Sequence, residues 1–204
     1  MFLGIFNSSH AKVSKFNYDA KNLTNYSIGN NEKGNFLRAE VEDGGSGLGK
    51  EVLVDLNKTP FLNITWKVEK DLSGINEKSK KGHDFAARFF VVKKTGLTPL
   101  SNKAINYVFS SNEEIEDHWT SPYTKSSIDY VLSSTKNSLN EWVTVKTNVK
   151  EDYKKLHNLD VDILDGVAIM ADTDQSKKQS ISYFQSCLLY TSPSPRDRTR
   201  YRMP

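Results

Sequence analysis

Between Phe61 and Glu69 the chain alternates strictly, with Leu62, Ile64, Trp66 and Val68 set against Asn63, Thr65, Lys67 and Glu69. A period of two puts all four large apolar side chains on one side of an extended backbone. It predicts a strand with one buried and one wet face. Phe85 to Val92 is apolar at both parities except for Arg88, which predicts a central strand covered on both sides.

Further strands are predicted over Phe36–Val41, Glu51–Leu56, Ala104–Ser110, Ser127–Ser133, Glu141–Asn148, Gly166–Ala171 and Ser180–Gln185, separated by clusters of Asn, Gly, Ser and Lys. One short helix is predicted over Val149–His157, a run of good helix formers. Nine or so strands with one helix give an all-β fold, a two-sheet antiparallel sandwich of the jelly-roll type. The polar loops Lys70–Gly82 and Ser111–Ser126 are where function can sit on such a scaffold.

Two ends of the chain read differently from its body. Residues 187–204 hold the single cysteine, three of the six prolines, four arginines and one acid. Without them the chain carries 24 basic and 24 acidic residues, and Arg38 and Arg88 are its only arginines. The run from Cys187 to Asp197 back-translates into a transposase sequencing adaptor, so residues 187–204 are expected to be non-native. The competing reading is a disordered basic tail. At the other end, Phe2–Phe6 is apolar and Ser9-His10-Ala11 fits the small-x-small rule for signal-peptide cleavage, so residues 1–11 read as a signal-peptide remnant. A first strand is the alternative there. The expected organisation is then one domain over residues 12–186, in a periplasmic or secreted protein. A neutral body lacks the electrostatic footprint of nucleic-acid binding, and no apolar run reaches membrane-span length.

The chemistry-bearing residues are few. Gly44-Gly45-Ser46-Gly47-Leu48-Gly49 lacks the lysine of a phosphate loop, and Leu48 stands where a nucleophile elbow needs glycine, so a flexible hairpin turn is expected there. Asp84 and Arg88 share a parity at the start of the central strand, either to bracket a ligand or, for Arg88, to pair with Asp172 or Asp129 across strands. Asp172-Thr173-Asp174 at a strand end offers oxygens of the kind Ca²⁺ takes, although an Asx-type turn is the simpler reading and no cofactor is expected. Trp119, Pro122 and Tyr123 in the second long loop, with Tyr107 on a strand, are either sugar-stacking surfaces or core anchors. Glu113, Glu114, Glu116 and Asp117 read as a solvated loop. The four histidines have no metal-ligand spacing.

Several of these pieces recur together in order: Ser46-Gly47-Leu48, Thr59-Pro60 before the Trp66 strand, Gly82 to Arg88, Ala104 to Val108, Pro122-Tyr123-Thr124, and Gly166 to Asp174. From about Asn35 to Ser186 the chain resembles the bacterial domain-of-unknown-function family three-zero-four-seven. The resemblance implies an exported protein of the bacterial envelope and brings no activity. Where the family tends to have an acidic pair this chain has His83-Asp84, which counts against a metal there. The family pattern continues beyond Tyr183 and Phe184, implying a further C-terminal strand.

The leading functional expectation is a non-catalytic domain that binds a glycan or another small ligand through Asp84, Arg88, Tyr107, Tyr123, Asp172 and Asp174. The first alternative is a polysaccharide-active hydrolase or lyase whose candidate titratable groups are Asp84, Asp172 and the Tyr107 phenol. The second is a structural or protein-partner module, which would leave those six residues buried and mutually satisfied.

Overall fold

In a computed structural model of the chain, the described residues are 13–16, 21–96 and 101–190. The signal-peptide reading and residues 191–204 of the tail therefore lie outside the described residues. The strands are β1 (Val13–Phe16), β2 (Asn25–Asn31), β3 (Gly34–Glu42), β4 (Gly45–Asp55), β5 (Phe61–Lys70), β6 (Ala87–Lys93), β7 (Lys103–Ser110), β8 (His118–Thr120), β9 (Ser127–Ser134), β10 (Val143–Asn148), β11 (Ile163–Asp172) and β12 (Gln179–Tyr190). A single helical turn, α1 (Thr135–Ser138), and the helix α2 (Val149–His157) complete the order, with a 3-10 turn at Lys80–Gly82.

The strands form two sheets, ordered β1-β4-β11-β6-β7-β9-β8 and β10-β5-β12-β3-β2. All pairs are antiparallel except β7 with β9. The fold is an all-β, two-sheet jelly-roll-like sandwich. Leu62, Ile64, Trp66 and Val68 all point into the space between the sheets and are fully buried, as the alternation in β5 dictates. Facing them from the larger sheet are Phe89 and Val91, Ile105, Tyr107 and Phe109, and Val167, Ile169 and Ala171. β6 is the middle strand of seven, and its second face carries the buried Arg88.

The helix forms where its propensity places it. Asn148 caps its N-terminus by accepting from the Glu151 N–H at 3.3 Å, and Asn158 ends it in the left-handed conformation. Val149 and Tyr153, four residues apart on one face, are buried, and the Tyr153 hydroxyl donates to the Val91 carbonyl at 2.8 Å.

Three strands escaped the sequence reading. β2 is an exposed edge strand of sequence NYSIGNN, so it has no apolar alternation to detect. β8 has only three residues, inside a polar loop, and β1 has four. The boundary expected at Ser186 falls inside β12, which pairs with β5 as far as Tyr190 opposite Phe61 and is the middle strand of the smaller sheet. Cys187 is buried in the core there, and burial pushes its thiol up.

The glycine-rich run is a correction. It is not a hairpin turn but the first half of β4, paired with both β1 and β11. At Asp43–Gly44 the chain instead bends from the smaller sheet into the larger one, where Asp43 adopts positive φ and Asn22 donates to its carbonyl at 3.0 Å. The glycines answer to close approach. A Cβ on Gly47 would sit 2.3 Å from a Phe16 ring carbon and 2.8 Å from the Ile169 carbonyl oxygen. Gly47→Ala should therefore destabilise by about 1–3 kcal/mol, because the carbonyl cannot withdraw without breaking the sheet. A denaturant midpoint equal to that of the unsubstituted protein would contradict this packing.

Candidate functional site

The outward face of the larger sheet is set by parity. Gly45 lies opposite Asp172, Met170 opposite Arg88, and Arg88 opposite Val108. Asp172 and Arg88 therefore emerge together at one end of that face, on neighbouring strands. Gly45 has no side chain to crowd the Asp172 Cβ, which would lie 2.7 Å from a Cβ built there.

Arg88 is the hub of this corner. Its Nε donates to Asp172 Oδ1 at 2.8 Å, its Nη2 to Asp172 Oδ2, and the same Nη2 to the His83 carbonyl at 2.9 Å. The guanidinium also lies 4.5 Å from the centre of the Phe85 ring. Asp172 further accepts the Phe85 N–H at 3.2 Å. Asp84 accepts the N–H groups of Gln175 and Ser176, at 3.2 and 2.5 Å, and so fixes the turn that carries Asp174. Next to this, His83 Nε2 lies 2.8 Å from Asp129 Oδ2, and Asn106 donates to Asp129 Oδ1 at 2.6 Å. The His83 ring meets Phe85 and Tyr123 edge-on at 5.3 and 5.4 Å.

One guanidinium here faces several carboxylates. Burial works against the charge of Arg88, but Asp172, Asp129 and Asp84 outweigh it and raise its pKa. Burial pushes the Asp172 carboxyl up to about 7, aided by the Asp84 charge and opposed by Arg88. Tyr123 is raised by partial burial and then by the charges of Asp174 and Asp84.

The Asp172 shift has a signed consequence. Its ordinary value is 3.8 and its folded value about 7. Between those two pH values the folded state holds a proton that the unfolded chain has lost. The contribution of this group to stability therefore falls as pH rises through that window. Asp172→Asn should remove that fall, so the stability difference between the aspartate and asparagine proteins should change steadily from about pH 4 to 7. A difference independent of pH, measured by denaturant unfolding, would contradict it.

Five of the six residues singled out in the sequence meet at this corner: Asp84, Arg88, Tyr123, Asp172 and Asp174. Tyr107 does not. It lies opposite Phe89 and so has the parity of the inter-sheet core, where it is fully buried and its hydroxyl donates to Asp152 at 2.7 Å. Asp84, Arg88 and Asp172 are buried and satisfied, whereas Tyr123 is 53% exposed and Asp174 is half-buried. Asp84 and Arg88 do not bracket an open space, because strand β6 begins only at Ala87 and the backbone before it folds back so that the His83 carbonyl meets Arg88. His83, Asp129 and Asn106 were not read as site residues. Asp129, the one charged residue of β9 and set between Ile128 and Tyr130, was the available signal. Glu77 was invisible in its polar loop, yet it is fully buried and holds that loop to the end of β7 through Ser110 Oγ and the Ser111 N–H.

One carboxylate oxygen each of Asp84, Asp172 and Asp174 lie within 4.8 Å of one another. Ca²⁺ takes six to eight oxygens, and the oxygens here are already engaged. Both Asp172 oxygens accept from Arg88, both Asp84 oxygens accept backbone N–H groups, and Arg88 already supplies the positive charge.

A groove of about 690 Å³ lies over the opposite end of the same outward face, with Gly49, Glu51, Val92, Lys94, Asp165 and Gly166 among its lining. No helix among the described residues is long and apolar enough to cross a membrane.

A family model described as "protein of unknown function (DUF3047)" matches residues 12–187. The chain belongs to the DUF3047 family. No curated protein matches it. Among solved structures, this DUF3047 chain is similar to a meso-active, thermostable cellulase derived from the Cel12A cellulase of Rhodothermus marinus. The two are 10% identical with a TM-score of 0.53, over 88% of this chain and 91% of that one. A xyloglucanase domain of NopAA, a type three effector from Sinorhizobium fredii solved with cellobiose, is 13% identical, with a TM-score of 0.44 over 91% and 100% of the two chains. The carbohydrate-binding module TmCBM61, solved with β-1,4-galactotriose, is 10% identical, with a TM-score of 0.39 over 90% of each. The first of these likenesses supports the sandwich fold that the DUF3047 chain adopts.

Proposed function

We propose that this DUF3047 chain is an exported, non-catalytic glycan-binding domain whose ligand sits on the outward face of the larger sheet. The observation that carries the reading is Tyr123. Its ring is half out in solvent beside Asp174, over a corner in which Arg88, Asp172, Asp84 and His83 are locked by hydrogen bonds. The Tyr123 hydroxyl donates to the Lys80 carbonyl at 3.0 Å, and Lys80 Nζ lies over the ring 5.7 Å from its centre, so Lys80 holds the ring in place. A rigid aromatic face beside a carboxylate that can accept hydroxyls is the equipment for holding a sugar ring. In this reading Tyr123 and Asp174 touch the ligand, while Asp84, Arg88 and Asp172 position them. The cellulase fold likeness raises the prior for a glucan-type chain, by analogy of fold alone.

Tyr123→Ala should weaken glycan binding about tenfold or more, a loss of about 1.4 kcal/mol, while leaving the unfolding midpoint nearly unchanged because the ring is exposed. Calorimetric titration checks the first and thermal unfolding the second. Undiminished affinity in Tyr123→Ala, and also in Asp174→Ala, would remove the site assignment and favour a structural or partner-binding role.

One observation favours a hydrolase instead. Asp172 holds its proton up to about pH 7 beside Asp84, and their oxygens lie within 4.8 Å, close to the spacing of carboxyl pairs in retaining glycosidases. Against this, Asp84 is fully buried and Asp172 is 4% exposed, and neither presents a free oxygen to a glycosidic bond. Release of new reducing ends from a polysaccharide, abolished by Asp172→Asn, would establish the hydrolase.

A further inference from the structure

We infer that the groove at the far end of the outward face is a second subsite, and that it takes another stretch of the same linear, neutral oligosaccharide. The inference rests on the glycan reading above and extends it to a part of the molecule that none of Asp84, Arg88, Tyr123, Asp172 or Asp174 reaches.

The groove exists because of what the sequence omits. Gly49 and Gly166 lie diagonally across adjacent strands with the parity of the outward face, Gly49 opposite Ser14 on β1 and Ala168 on β11, and Gly166 opposite Val92 on β6 and Glu51 on β4. A Cβ on Gly166 would meet nothing closer than the Lys50 carbonyl oxygen at 3.3 Å. At Gly166 the floor is therefore backbone, bordered at Gly49 by the Phe16 ring, and the volume above it, about 690 Å³, falls in the range of small-ligand sites.

The walls decide the ligand class. Lys94 Nζ pairs with Glu51 at 2.9 Å, and Asp165 is held by Lys93 Nζ and by the Lys94 N–H, both at 2.8 Å. Among the lining residues Lys50 and Lys94 balance Glu51 and Asp165, with Lys93 reaching Asp165 from outside the lining, so the groove walls carry no net charge with which to select an ion. What remains is a row of donors and acceptors, with Ser14 and Asn102 among the lining, around one apolar patch at Val92. That combination suits a neutral ligand that is rich in hydroxyls and has apolar ring faces.

The spacing decides the ligand's shape. Gly166 and Asp172 lie six residues apart along β11, about 20 Å at the rise of a strand. A single sugar ring cannot touch both ends, whereas an extended oligosaccharide can. Occupying the second end is then an intramolecular event that multiplies affinity without changing either set of contacts.

The test is a chain-length series. Binding of cello-, xylo- and galacto-oligosaccharides, each as dimer and as hexamer, is measured by calorimetry on the full chain, on Tyr123→Ala, and on Ser14→Trp. Ser14 is exposed on the edge strand β1, so the indole can fill the groove without entering the core. The expected result is a hexamer of one series binding on the order of a hundredfold tighter than its dimer. Ser14→Trp should erase that gain while leaving dimer affinity intact, and Tyr123→Ala should weaken dimer and hexamer alike. Lys94→Met, which removes one wall without filling the space, should reduce the gain partly. If dimers bind through Tyr123 but length adds nothing, or the gain survives both Ser14→Trp and Lys94→Met, the groove is not a subsite and the corner stands. If no member of any series binds at either length, the glycan reading and the groove fall together.

Discussion

Arg88→Met should destabilise the chain by about 3–5 kcal/mol, the cost of breaking a buried ion pair from one side. Arg88 is 4% exposed and is the only cation bonded to Asp172 among the described residues. Methionine roughly preserves the stem volume but leaves Asp172 with one backbone N–H, and leaves the His83 carbonyl without its guanidinium donor. Asp84 is near enough that its charge adds to the penalty. The second half of the argument is the double variant. Arg88→Met with Asp172→Asn removes the carboxyl that has lost its partner and should recover more than half of the loss, since a pair replaced on both sides is often neutral. Unfolding in denaturant with an unchanged slope supplies both numbers. A single-variant loss below about 1 kcal/mol, or a double variant no better than the single, would mean that the corner is not organised around this pair.

Trp66→Ala should cost about as much, about 3–5 kcal/mol, for a different reason. Trp66 belongs to the smaller sheet and is fully buried. Its Nε1 donates to Ser133 Oγ in the larger sheet at 2.9 Å, and its ring packs on Phe109 at 5.5 Å between centroids. Truncation opens a cavity between the sheets and strands a buried hydroxyl. For a chain of this size the thermal midpoint should drop by about 10 °C or more. Trp66→Phe, which keeps most of the volume but not the N–H, should fall in between. A midpoint shift of only one or two degrees for the alanine variant would contradict the packing of the two sheets.

These two residues also show how much could be read from the chain. Trp66 was legible because a wet-faced strand alternates, and the alternation in β5 names every core residue it contributes. The same signal fails at β2, where both faces are largely wet and nothing alternates. The glycines of β4 misled, because turns and close-packed strands both ask for a missing Cβ. Only the Phe16 ring and the Asp172 Cβ, distant in sequence, tell the two apart. At the site, the cost of an unpaired buried charge narrowed the partner of Arg88 to Asp172 or Asp129, and the structure pairs it with Asp172; Asp84, Tyr123 and Asp174 join this pair from segments outside the strands. Tyr107 did not, because it shares the parity of Ile105 and Phe109 in β7, and the register with β6 turns all three inward, the core-anchor alternative for this residue. Glu77, His83 and Asp129 owe their roles to loop closure over the sheet. Loop closure depends on contacts between residues far apart in the sequence.

The most direct test of the account is thermal unfolding of the chain and of Tyr123→Ala, side by side, against a panel of bacterial and plant glycans. A ligand present at a hundred times its dissociation constant should stabilise the fold by about 2.7 kcal/mol. The account predicts a raised midpoint with one class of neutral glycan, and a much smaller rise for Tyr123→Ala at the same concentration. No rise with any glycan, or one that Tyr123→Ala retains in full, would contradict it.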